Sequence, residues 1–93
     1  MEVYPEESVT FLLENKVRAN MTEFYASPSG LKYWENDLLG DDLLRSGKAV
    51  EIYINDLTTC FYDFQAKFAD GDVMEKNSIN ICKLNGGSYE FYD

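Results

Sequence analysis

The chain has 93 residues, of which 45% are hydrophobic and 15% aromatic, and its 17 acidic and 8 basic residues give it a net charge of −9. This length suits one domain with one modest core, and the hydrophobic content excludes a disordered chain. The negative charge excludes direct binding to nucleic-acid phosphates, and because the chain has no histidine it lacks the commonest acid–base catalyst near neutral pH.

The first part of the chain is predicted to form two β-strands. Residues 1–7 are expected to be a flexible N-terminal arm. The first strand is predicted over 8–14, where Val9, Phe11 and Leu13 alternate with other residues and so share one face. A second strand is predicted over 17–26, and the Pro- and Gly-containing residues that follow it should break the sheet.

Residues 31–39 are predicted to form one short helical segment. Leu31, Trp34 and Leu38 recur at i, i+3 and i+7, so they would share one helical face. Ser29 is the candidate N-cap, and Gly40 is the candidate residue that ends the helix.

The rest of the chain is predicted to be β-structure. Alternating hydrophobic residues indicate strands over 48–54, 60–69, 73–82 and 88–92. Together with the first two, these short strands predict an all-β fold in one domain over 1–93. The expected architecture is a small antiparallel β-sandwich or open barrel of about six or seven strands.

The two cysteines are predicted to form a disulfide across a β-hairpin. Asp-Gly-Asp at 70–72 is a tight-turn signal. A hairpin centred on this turn places Cys60 opposite Cys82 and Lys67 opposite Glu75, and cysteines directly opposite each other can reach disulfide geometry. The alternative is a pair of reduced thiols in a cytosolic protein.

Two groups of aspartates are the candidate metal ligands: Asp37, Asp41 and Asp42 in the first group, and Asp70 and Asp72 in the second. Calcium takes about six to eight oxygen ligands, so an acidic loop can bind it weakly. Neither group has the spacing of an EF-hand, however, and acidic turn residues usually cap backbone groups. No metal site is therefore favoured, and no cofactor is expected.

No pattern of catalytic residues is recognisable in the chain. Ser27 and Ser29 have no histidine to activate them. Cys60 and Cys82 are too far apart in the sequence to form a C-x-x-C redox pair. The sequence therefore predicts that the protein is not an enzyme.

An ordered set of short motifs resembles the pattern of a family of short, predicted-exported bacterial proteins of unknown function. That pattern is Y-x-S-P-S…W…D-L-L-G…G…C-x-Y-D…D-G…L-C. Its counterparts here are Tyr25-Ala26-Ser27-Pro28-Ser29, Trp34, Asp37-Leu38-Leu39-Gly40, Gly47, Cys60-Phe61-Tyr62-Asp63, Asp70-Gly71 and Ile81-Cys82. The chain departs from the pattern at Glu35-Asn36, where a glycine is expected. The resemblance implies export and a β-rich fold, but it implies no activity.

Two functions in different classes follow from these observations. The first is an exported (periplasmic or secreted) module, stabilised by a disulfide, that binds a protein or a cell-surface component. It would bind through loops, an edge strand or contact-prone tyrosines, for which the candidates are Tyr33, Tyr53, Tyr62, Tyr89 and Tyr92. The second is a cytosolic acidic inhibitor, either an immunity-type protein or a nucleic-acid mimic that binds a basic partner.

Membrane insertion and cellular location can also be addressed from the sequence. No stretch approaches the roughly 18 consecutive apolar residues that span a bilayer. Residues 1–7 lack the features of a signal peptide, so an exported protein would be a mature form with an added methionine. A cytoplasmic protein is the alternative.

Overall fold

The computed structural model describes residues 8–31, 34–35 and 37–93. These residues form six β-strands and one short helix. In chain order the elements are β1 (Ser8–Lys16), β2 (Met21–Pro28), β3 (Ala49–Asn55), β4 (Phe61–Phe68), β5 (Val73–Asn80), α1 (Ile81–Leu84) and β6 (Ser88–Tyr92). The predicted small all-β fold is confirmed, and the predicted arm at 1–7 lies outside the described residues.

The strands form two sheets of three strands each. We call them the β1 sheet, with the order β3–β1–β6, and the β4 sheet, with the order β2–β4–β5. Both pairings in the β4 sheet are antiparallel, as is β1 with β3. β1 and β6, however, are parallel, with Leu12 beside Ser88 and Lys16 beside Tyr92. This one pairing departs from the predicted antiparallel arrangement, because the chain passes through α1 from one sheet to the other before β6 begins.

The predicted helical segment at 31–39 is wrong. Of its residues, 31, 34, 35 and 37–39 are not helical, and Lys32, Tyr33 and Asn36 lie outside the described residues. The helix is instead α1, which begins after Asn80, whose side chain accepts a hydrogen bond from the Lys83 backbone N–H. Within the described ranges, no helix has the length and apolar character needed to cross a bilayer.

The two sheets share a core of aromatic side chains. Phe11 in the β1 sheet and Phe64 in the β4 sheet stack with their ring centroids 5.6 Å apart. Phe64 also meets Phe24 edge-to-face at 5.1 Å, and Phe24 meets Phe91 at 6.1 Å. All four phenylalanines are almost completely buried. Because two of them come from each sheet, these contacts join the sheets to each other.

One polar side chain, Asn15, lies fully inside this structure at the end of β1. Its amide nitrogen donates to the carbonyl oxygens of Ala19 at 3.0 Å and Leu44 at 2.9 Å. Its amide oxygen accepts from the Val17 N–H at 3.0 Å. Asn15 therefore ties the β1–β2 connection to the segment before β3.

The predicted disulfide between Cys60 and Cys82 is confirmed, with a Cα–Cα distance of 5.2 Å. The predicted register is wrong: Lys67 lies beside Val73, not Glu75. The hairpin loop is 69–71, not 70–72, because the Phe68 N–H donates to the Asp72 carbonyl at 2.9 Å.

The cysteines still meet because two later features change the path of the chain. A register shift occurs between Tyr62 and Phe64, next to the point where Ser78 adopts a φ of 57°. β5 then ends at Asn80, and the first turn of α1 brings Cys82 to Cys60. The disulfide thus fixes α1 to the start of β4 instead of joining two directly opposed strand residues.

Candidate binding site

Several residues of the short motifs singled out in the sequence lie together on the outer face of the β4 sheet. Ser27 in β2 lies beside Asp63 in β4, and Tyr25 lies beside Gln65. The Trp34 ring lies near Tyr25, with the ring centroids 6.4 Å apart. Motif elements that are distant in the sequence therefore meet in the fold.

The polar motif residues hold the segment after β2 against this sheet. Ser29 donates a hydrogen bond from its hydroxyl to Asp63 Oδ1 at 2.7 Å, and the Ser78 N–H donates to the same oxygen at 2.9 Å. The Glu35 N–H donates to the Ser27 hydroxyl oxygen at 3.0 Å. These contacts give Ser27, Ser29 and Asp63 structural roles.

A small cleft of about 190 Å³ remains beside this network. It is lined by Ser27, Pro28, Leu31, Trp34, Asp63, Glu75 and Asn77. One carboxylate oxygen of Asp63 is already used by two donors. The volume suits no more than a single side chain.

Two of the five aspartates considered as weak calcium ligands, Asp37 and Asp70, accept hydrogen bonds from backbone groups. Asp37 Oδ1 accepts hydrogen bonds from the Phe24 N–H at 2.9 Å and the Leu39 N–H at 3.0 Å. Asp70 Oδ1 accepts from the Asp72 N–H at 3.1 Å. In the described part of the chain, no group of three or more carboxylate, thiol or imidazole side chains is arranged to hold a metal ion.

A larger cleft of about 440 Å³ lies where the end of β3 faces β2 and β4. We call it the seam cleft, and it is lined by Ala26, Pro28, Glu35, Leu38, Tyr53, Ile54, Asn55, Asp56, Thr58 and Tyr62. Its charged members are Glu35 and Asp56, and this lining includes no lysine or arginine. Asp56 has a φ of 56°, a left-handed conformation that aspartate tolerates better than most residues, and it ends β3.

The predicted contact-prone tyrosines are divided between the surface and the interior. Tyr53 and Tyr92 are exposed, at 59% and 68%, whereas Tyr62 is buried and Tyr89 is half-buried. Burial is the larger cause and the nearby Glu35 carboxylate the smaller cause of a raised pKa at Tyr62. This wall of the seam cleft therefore carries a neutral phenol. Tyr33 lies outside the described residues.

The outer edge of β3 borders the seam cleft and has unpaired backbone groups. The Asn15 N–H donates to Lys48 O at 2.9 Å, whereas the Leu12 N–H donates to Gly87 O on the other side of β1. Because the directions of the backbone hydrogen bonds alternate along a strand, the N–H and C=O groups of Val50, Ile52 and Ile54 point toward β1. The N–H and C=O groups of the intervening residues point away, and no other described residue hydrogen bonds to them. These residues are Ala49, Glu51, Tyr53 and Asn55.

The other three sheet edges are covered, distorted or short. The Leu38 N–H donates to the Phe24 carbonyl at 2.8 Å, which covers part of the β2 edge. β5 carries Lys76 and is distorted where Ser78 has its positive φ, and both features discourage strand addition. β6 has only five residues. β3, by contrast, pairs with β1 over seven residues with no shift in register.

The residues of the seam cleft were not grouped by sequence reasoning. Glu35, Tyr53 and Tyr62 are separated along the chain and meet only through the order of the strands. One signal was available: residues 49–55 contain no proline or lysine, the residues that commonly protect an edge strand.

Comparison with known proteins finds no matching family model, no similar curated protein and no similar solved structure.

Proposed function

We propose that the protein is an exported, periplasmic or secreted, disulfide-stabilised β module that acts by binding another protein or a cell-surface component. We also propose that the protein belongs to the bacterial family whose motif pattern it resembles. The observation that carries the proposal is the disulfide between Cys60 and Cys82. Structural disulfides persist in oxidising compartments and are rare in the cytosol.

The surface of the protein supports a binding role. The open edge of β3 and the seam cleft beside it combine unpaired backbone groups, an exposed tyrosine and two carboxylates. The polar side chains of the motif cluster are already hydrogen bonded within the protein, as are those of Asp37 and Asp70. Compared with the motif residues and these two aspartates, the β3 edge has more polar groups left free to bond to a partner.

The cytosolic inhibitor is the competing hypothesis, and the redox state of the cysteines in the cell distinguishes the two. Cells that make the protein should be separated into cytoplasmic, envelope and medium fractions, and each fraction should be quenched in acid at once. A mass-tagged maleimide is then added before or after reduction. We expect no tag without reductant and two tags after it, with the protein in the envelope or medium.

The control is the variant with both Cys60→Ala and Cys82→Ala, which should take up no tag in either condition. Recovery of the wild-type protein in the cytoplasmic fraction with two freely reacting thiols would contradict export and favour the acidic inhibitor.

Binding itself can be tested by photo-crosslinking in the cell. A benzophenone amino acid placed at Tyr53 should give an adduct with an exported protein or an envelope component. The same group at the exposed Val73, in the β4–β5 hairpin, is the matched control. If neither these nor other exposed positions form adducts, the protein does not act by stable binding.

A further inference from the structure

We propose that the open edge of β3 binds an extended, cationic segment of a partner protein, which adds to the β1 sheet as a fourth strand. A lysine or arginine side chain of that segment would enter the seam cleft. This inference rests on the proposed function and specifies its partner.

The backbone of β3 supplies the first half of this recognition. Ala49, Glu51, Tyr53 and Asn55 present outward-facing N–H and C=O groups at every second residue over one regular strand. An added strand can hydrogen bond to these groups in the same way that β1 bonds to the other side of β3. Strand addition of this kind gets its affinity from main-chain hydrogen bonds and its specificity from pockets for alternate side chains.

The seam cleft supplies that pocket. It includes Tyr53, Ile54 and Asn55 of β3 itself, so it lies directly beside the edge on which an added strand would lie. Because side chains alternate across a strand, every second residue of the segment would point toward the cleft and the rest would cross the outer face of the β1 sheet.

Charge identifies the chemistry of the occupant. The residues that line the cleft include Glu35 and Asp56, and β3 carries a third acidic residue, Glu51, outside the cleft. The phenol of Tyr62 and the ring of Tyr53 add aromatic walls, which suit the stem and head of a cationic side chain.

The same charges disfavour a second copy of this chain as the occupant. Pairing β3 with β3 would bring two strands with the same carboxylates together, in molecules that each carry a net charge of −9. Like charges across a strand pair are destabilising. A basic partner gains from the same field.

The probe is a short capped peptide in which lysine alternates with valine, compared with a matched peptide in which glutamate replaces lysine. Binding is followed by the backbone amide chemical shifts of the oxidised protein. We expect the lysine peptide to shift the amides of Glu51, Tyr53 and Asn55. The affinity should fall at about 0.5 M salt, and the glutamate peptide should not bind.

Methylating single backbone nitrogens of the peptide tests strand addition without changing the protein. In an added strand only alternate residues bond to β3, so methylation at one parity should reduce affinity at least tenfold and methylation at the other should have little effect. Equal losses at both parities would overturn strand addition.

Variants of the protein test the two halves of the site separately. Tyr53→Pro removes one outward N–H that β1 does not use, whereas Tyr53→Thr retains it. Both variants lose the aromatic ring, so the proline variant should bind the peptide more weakly than the threonine variant. Replacing Glu35 by glutamine and Asp56 by asparagine, which tolerates the same positive φ, should weaken the lysine peptide about three- to tenfold. Thermal unfolding of each variant confirms that it is folded.

Other outcomes would overturn the inference. Peptide-induced shifts confined to β5 or to the cleft at Trp34 would place the site elsewhere. Concentration-dependent shifts at β3 without peptide would make a second copy the occupant. The peptide could fail to bind at β3 while other exposed positions still form cross-links to an exported partner. That result would overturn this inference and leave the proposed function standing. Cytoplasmic recovery with free thiols would instead contradict the proposed function.

Discussion

Removing the disulfide should destabilise the protein by an amount that its position in the fold allows to be estimated. The bond joins residues 22 positions apart and encloses the whole β4–β5 hairpin. Chain entropy for a closed loop of this size gives about 3 kcal/mol of stabilisation at 25 °C. For a domain of this length, each kcal/mol corresponds to about 4–8 °C in Tm, so replacing both cysteines by alanine should lower Tm by about 12–24 °C.

The structure also indicates which segments should be destabilised most by loss of the disulfide. β5 lies at the edge of its sheet and is mostly exposed, so it gains little from core packing. Without the bond, amide hydrogen exchange should therefore accelerate most in β5 and α1, while the protection of β1 should fall only in line with global stability.

Calorimetry of the wild type and the double alanine variant, each with and without reductant, is the required measurement. Reductant should lower the wild-type Tm to that of the variant and leave the variant unchanged. A variant that melts within about 4 °C of the oxidised wild type would refute the reasoning, because the loop closure would then contribute less than about 1 kcal/mol.

Three further predictions concern the core and the tyrosines. Asn15→Leu should cost about 2–4 kcal/mol in urea unfolding, because it leaves the buried backbone groups that Asn15 bonds to without partners. Phe64→Ala should cost about 3–5 kcal/mol, whereas Phe61→Ala on the exposed side of the same strand should change stability by about 0.5 kcal/mol or less. Burial raises the pKa of Tyr62 and Tyr89 above 10.0, so the unfolded chain loses these protons first as the pH rises. Their contribution to stability should be complete below pH 10 and decline above it, and urea titrations from pH 9 to about 11 should show a smaller decline for Tyr62→Phe.

The strands could be predicted wherever one face is buried and the other is not. In β4, Tyr62, Phe64, Ala66 and Phe68 are buried and alternate with more polar, more exposed residues. Such alternation arises because successive side chains of a strand point to opposite faces of the sheet. For the same reason the strand over 88–92 was predicted correctly.

The helix and the register could not be predicted because their causes are not periodic. The spacing of Leu31, Trp34 and Leu38 looks helical, but this segment is held by hydrogen bonds such as the one from the Glu35 N–H to the Ser27 hydroxyl. α1 has only four residues, too few to give a helical pattern. The register depends on one hydrogen bond in a three-residue loop and on one bulge. The observed loop shifts the pairing by two residues, which leaves the same side chains on each face as far as the bulge.

The candidate site was beyond sequence reasoning for a different reason. The open edge of β3 exists because β1 lies on one side of it and nothing described lies on the other. Sequence patterns identify strands, but they do not state which strands lie at the edges. The cleft beside β3 depends further on how the two sheets face each other.

The position of β1 between β3 and β6 has a consequence for the order of folding. β1 is the first described strand and β6 the last, yet Leu12 pairs with Ser88. The β4–β5 hairpin can form from local contacts, but the β1 sheet must close the longest loops in the chain, which makes its assembly slow. While β6 is still being synthesised, one side of β1 has no strand to pair with. The β1 sheet can therefore be completed only after β6 has left the ribosome.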